Sequence, residues 1–132
     1  MSLNQWEYGS QSEDLVLQKY LQDGYTLIAQ NFEYRRGNIQ GRLGEIDLIM
    51  EKNGRVYLVE VKARNNDKYG PTSGQVTSDK LRHVYKTWQY FLTLRENKKY
   101  REAFFQFDLA IVSKNEVKII PNAASFDSFI RF

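Results

Sequence analysis

Cysteine is absent from the 132-residue chain, and histidine occurs once, at His83. The first absence excludes a disulfide framework and a thiolate zinc site, and it fits a reducing compartment. The second means that any metal site must be built mainly from oxygen ligands, which favours magnesium or manganese over zinc. No apolar run approaches the roughly 20 residues that a membrane span needs, and the N-terminus lacks a charged-then-apolar leader pattern. A cytoplasmic protein with no membrane partner is therefore expected. Charge of one sign is also scarce: a net charge of +3 and a pI near 9.1 are less basic than an obligate DNA-coating protein would carry. What is present is a globular composition, 42% apolar and 27% charged, suited to one core in one domain. That domain is expected to span 1–132, with residues 1–8 set aside as disordered or extraneous and residues 1–3 given no role.

Residues 11–22 read as a helix with Val16, Leu17, Tyr20 and Leu21 as its apolar stripe. At about 100° per residue, Glu13 falls near the middle of that stripe, so it should face a core or a cleft, unlike Asp14. After Asp23-Gly24, residues 25–32 suit a strand, and 34–43, with Arg35, Arg36, Gly37, Gly41 and Arg42, a basic loop. Strands at 45–50 and 56–64 flank Asn53-Gly54, the strongest short-range hairpin signal. A loop over 65–77 leads to a helix capped by Ser78 and running to about residue 94, with Asp79 in its first turn. Leu81, Val84, Tyr85, Trp88, Phe91 and Leu92 form its apolar stripe, which reads as core and not as a base-stacking platform, while His83 lies off the stripe. A basic linker with Lys98, Lys99 and Arg101, strands at 104–113 and 116–120 and a Phe-rich tail follow. The order α-β-β-β-α-β-β predicts a mixed sheet flanked by helices.

Charges inside the strand-like runs point to chemistry. Alternation puts Val56, Leu58, Glu60 and Lys62 on one face and Tyr57, Val59 and Val61 on the other, so a strand apolar on both faces turns charged on one. Asp47 lies in the neighbouring run, in a register that the sequence leaves open. Buried charges are costly unless paired or metal-bound. Asp47, Glu60 and the main-chain carbonyl of Val61 are the parts needed to hold a divalent cation, with Glu13 adding a ligand directly or through water. Lys62 would then orient an attacking water. Taken singly, Glu60 and Lys62 suit a half-exposed cross-strand ion pair, and Glu13 suits an acid snorkelling from the helix rim. Three such anomalies on adjacent elements favour a site. Asp108, set among Phe105, Phe107 and Leu109, is expected to play a structural hydrogen-bonding part.

Asp47 followed by Glu60-Val61-Lys62, on this order of elements, resembles the PD-(D/E)xK nuclease superfamily. Residues 44–49 and 59–64, with Tyr69-Gly70, Val76, Lys80, Phe107-Asp108 and Asn122-Ala123, are similar to the YraN-like bacterial family, a likeness that spans nearly the whole chain. It implies an α/β, restriction endonuclease-like three-layer core. It also implies Glu13, Asp47, Glu60 and Lys62 as active-site positions and Lys80 as an auxiliary polar residue. The expected activity is hydrolysis of phosphodiester bonds in DNA with Mg2+ or Mn2+, extending to branched or damaged structures. The alternative is an inactive nucleic-acid-binding or protein-interaction module. Arg35, Arg36, Arg42, Arg64, Lys68 and Lys80 are the candidate phosphate contacts, with DNA expected ahead of RNA and homodimerisation left open.

Overall fold

A computed structural model of the chain describes residues 5–35, 43–64 and 76–130. The elements run α1 (Gln5–Gln22), β1 (Thr26–Tyr34), β2 (Gly44–Lys52), β3 (Arg55–Arg64), α2 (Ser78–Thr93), β4 (Phe105–Ser113) and β5 (Glu116–Ala124). Short 3-10 helices cover Arg95–Tyr100 and Asp127–Phe129. The strands form one mixed sheet in the order β1-β2-β3-β4-β5. Every pair is antiparallel except β3 with β4, whose parallel pairing requires a crossover, and α2 lies within it. Asn53 and Gly54 both have positive φ, 53° and 81°, as a tight two-residue hairpin demands.

The two faces of the sheet hold separate cores. On one, Leu81, Val84, Trp88 and Phe91 of α2 pack on Ile46, Ile49, Leu58 and Leu109. On the other, Val16 and Tyr20 of α1 pack on Leu48, Met50, Val59 and Ala110. Leu58 and Val59, adjacent in β3, thus face opposite layers, as strand alternation requires. The α/β layering and element order expected from the sequence are both observed.

Several boundaries differ. The α1 helix begins six residues before the position that its apolar stripe suggested. The cap of α2 is Thr77 and not Ser78: Thr77 is extended, and its hydroxyl accepts the Lys80 amide at 3.1 Å. Strand β5 runs on through Pro121 to Ala124, which an edge strand tolerates. The tail is core, since Phe126 is buried against Phe105 and Phe107.

Candidate functional site

The pairing of β2 with β3 is regular from the hairpin turn, Lys52 opposite Arg55, to Leu48 opposite Val59. Beyond that point Asp47 Oδ2 accepts the Val61 amide at 2.8 Å, so a side chain stands where a backbone rung would be. Alternation breaks at the same place. Ile46 belongs to the α2-side core and Leu48 to the α1-side core, although the two are only two residues apart. Across the β1–β2 ladder, where Gln30 pairs with Leu48 and Phe32 with Ile46, the residue opposite Asp47 is Asn31, at φ 53°. Asparagine is among the few non-glycine residues that accept this conformation readily. The sheet is therefore opened and turned at Asp47.

Ionisable groups from both layers meet at this opening. Glu13, on α1, accepts a hydrogen bond from the Asn31 side chain. Its pKa is pushed up to about 7, first by burial and then by the Asp47 charge, with Glu45 and Asp14 adding to the rise and the Asn31 bond opposing it. Glu60 is 9% exposed. Burial and then the Asp47 charge lift its carboxyl to about 7 as well, against the pull of Lys80 and Lys62. Asp47 is thus the common neighbour of Glu13 from one layer and Glu60 from the other. Lys80, set in the first turn of α2 by the Thr77 cap, brings Nζ to 3.1 Å from Glu60 Oε1. Glu60 Oε2 is buried and has no hydrogen-bond partner among the described residues.

The structure therefore gathers Glu13, Asp47, Glu60, Lys62 and Lys80, the residues that the sequence pointed to. Asn31 and Glu45 join them unforeseen. Glu45 stood two residues before Asp47, while the signal at Asn31 was an asparagine, which tolerates positive φ, within an otherwise strand-like run. The basic residues gather less. Arg35 is exposed and pairs with Glu33 at 2.7 Å, and Arg64 is half-buried at the end of β3. Arg36, Arg42 and Lys68, with Tyr69 and Gly70, lie outside the described residues. Gly44 has a packing role: a Cβ there would overlap the Thr87 hydroxyl and stand 3.0 Å from the His83 carbonyl oxygen, so only glycine lets β2 approach α2 this closely.

Among the described residues, no three His, Asp or Glu side chains stand close enough to enclose a metal ion by themselves. Two carboxylates with main-chain and solvent oxygens remain, which is the donor set that magnesium commonly accepts. The unpartnered Glu60 oxygen beside a second carboxylate fits that chemistry.

The family model described as Uncharacterised protein family UPF0102 matches residues 12–112. The chain belongs to this family. UPF0102 proteins of Persephonella marina and Campylobacter hominis are each 30% identical to it over 122 residues, covering 92% of this chain and 97% of theirs. The UPF0102 protein of Vibrio campbellii is 32% identical over 121 residues, covering 90% of this chain and 93% of its own. A solved structure titled "Crystal structure of SSO0001" is similar at a TM-score of 0.41 and 18% identity. The match takes in 93% of this chain and spans only 63% of that one. The matched UPF0102 segment takes in Glu13, Asp47, Glu60, Lys62 and Lys80.

Proposed function

We propose that the chain is a nuclease that uses magnesium or manganese to hydrolyse phosphodiester bonds in DNA, branched or damaged forms included. The observation that carries this reading is the meeting of Asp47 and Glu60 at the opened end of β2 and β3, with one Glu60 oxygen buried and unpartnered among the described residues. The same residues, in the same order, carry the resemblance to the PD-(D/E)xK nuclease superfamily. Asp47, Glu60 and the Val61 carbonyl would hold the cation, with Glu13 reaching it through water, since no third carboxylate stands close enough among the described residues. A bound divalent cation supplies neutralisation of phosphate charge and a water of lowered pKa. Lys62, two residues along the same face as Glu60, orients the attacking water and offsets charge that develops on the phosphate. Lys80 favours the ionised form of Glu60. Without a cation, burial and the Asp47 charge hold the Glu13 carboxyl near 7, and a cation bound by Asp47 would favour its ionised form.

The test is incubation with single-stranded, duplex, flapped and four-way DNA and with RNA, in magnesium or manganese. Cleavage by the wild type, lost in Lys62→Ala, is the expected result. Equal cleavage by both proteins would assign the activity to a contaminant, and silence of the wild type on every substrate would overturn the reading. A second reading, a binding module without turnover, is favoured by the Lys80–Glu60 ion pair and by the lack of a three-carboxylate cluster among the described residues. Calorimetry with manganese separates the two. Heat of binding that Asp47→Ala abolishes favours the enzyme, and no binding at millimolar metal favours the module.

A further inference from the structure

On the α2 side of the sheet, a cleft of about 630 Å³ opens between the helix and the start of the β1–β2 pair. Tyr34, Leu43, His83, Lys86 and Tyr90 are among its lining residues, and none of the described lining residues is acidic. Its wall is aromatic: Tyr34 stacks on Tyr90 at 4.5 Å between centroids and 16° between planes, and Phe32, two residues before Tyr34 on β1, lies 6.0 Å and 27° from the same ring. Tyr34 and Tyr90 are only half-buried, while His83 and Lys86 are exposed. Half-exposed rings packed on one another can offer a surface for stacking, and cations beside them suit a phosphate backbone.

The position of the cleft connects it with the carboxylate site. Tyr34 pairs with Gly44, three residues before Asp47, so the two places are separated by roughly 10 Å of strand. Along α2, Lys80, His83 and Tyr90 follow at helical spacing on the flank turned toward β1 and β2, and Lys80 is the residue that contacts Glu60. One helix therefore borders both the carboxylate pair and the aromatic cleft.

We propose that this cleft is a subsite for unpaired nucleotides, in which a base stacks on the Tyr34–Tyr90 pair and Lys86 meets the adjoining phosphate. The proposal rests on the nuclease reading and deepens it, naming DNA with a single-stranded portion next to the cleaved bond as the substrate class. A flexible strand can turn from the cleft toward Asp47, and a continuous duplex offers no free base face to the rings.

The full chain is titrated, in metal-free buffer containing chelator, with fluorescein-labelled oligothymidylate of about ten nucleotides and with an abasic strand of equal length. Tyr90→Leu keeps an apolar side chain against Phe32 and should weaken oligothymidylate binding about ten-fold while leaving the abasic strand unchanged. Lys86→Ala should weaken both strands by a similar, smaller factor. If Tyr90→Leu melts early, Tyr34→Leu takes its place. Unaltered oligothymidylate affinity in the ring variant, equal loss on both strands, or no binding by the wild type would overturn the proposal. The last outcome would leave the cleft to a peptide. Omitting metal keeps the two readings separate. Lys62-dependent cleavage with an unaffected ring variant removes the subsite alone. Ring-dependent binding without cleavage of any substrate removes the nuclease alone.

Discussion

Two buried carboxylates one strand apart, Asp108 on β4 and Glu60 on β3, have opposite surroundings. Asp108 is 2% exposed and fully engaged: it accepts the Tyr20 hydroxyl at 2.8 Å, the Gln106 amide at 2.8 Å and the Asn122 backbone amide at 3.0 Å. These bonds tie α1, β4 and β5 together. Burial first, and then the charge and hydrogen bond of Asp108, hold the Tyr20 hydroxyl far above its usual range for losing a proton. Glu60 has one ion pair, to a lysine that is itself 39% exposed, and one oxygen without a partner among the described residues. Burial is similar in the two cases, so burial cannot separate a brace from a candidate for chemistry. Satisfaction of hydrogen-bonding capacity can, because an unmet buried acceptor costs free energy that a fold has no reason to retain.

The contrast can be broken most forcefully at Asp108. Replacing it with Ala strands the Tyr20 hydroxyl and the Asn122 amide, and the expected loss is about 3 kcal/mol in urea denaturation. A loss below about 1 kcal/mol would mean that Asp108 is no brace. Asp47→Ala leaves the Val61 amide without its acceptor and should cost about 1–2 kcal/mol while abolishing manganese binding. Unchanged metal affinity in that variant would remove Asp47 from the site. Tyr20→Phe deletes one bond to Asp108 and should cost about 1 kcal/mol, read by the same denaturation.

The smallest effect sharpens the comparison from the Glu60 side. Its carboxyl is raised from 4.5 to about 7 on folding. Below 4.5 the group is protonated in both states, and above 7 it is ionised in both, so stability changes only between those values. There the folded protein keeps a proton that the unfolded chain has released, and stability falls as pH rises. Glu60→Gln should flatten that slope without removing it, because Glu13 titrates in the same direction. Denaturation without metal from about pH 4 to about pH 8 measures it, and an identical slope in the variant would contradict the assignment.

The sequence carried the parts of the structure that depend on local period. Asn53-Gly54 fixed a turn, alternation assigned Glu60 and Lys62 to one face, and the stripe of α2 named Leu81, Val84, Trp88 and Phe91, all buried. Glu13 was legible because a charge on an apolar stripe is an exception to the helical period. What escaped depends on distant contacts. Phe126 is buried against Tyr85, Phe105 and Phe107, all distant in sequence, and Asn97 donates to the Phe91 carbonyl at 3.0 Å where α2 ends, six residues back. The facing of Asp47 could not be read at all. Strict alternation from Ile49 fails between Leu48 and Ile46, opposite Asn31 at positive φ, and Asp47 there is the charged neighbour of both Glu13 and Glu60.

The bond that Asp47 accepts from the Val61 amide makes that carboxylate part of the carpentry as well as of the candidate site. On the nuclease reading, a relative without turnover would still have to keep an acceptor there, or close the gap between the strands by some other joint. The persistence of Asp47 in a relative is therefore a poor witness to activity. Glu60, which the scaffold would be easier without, is the better one.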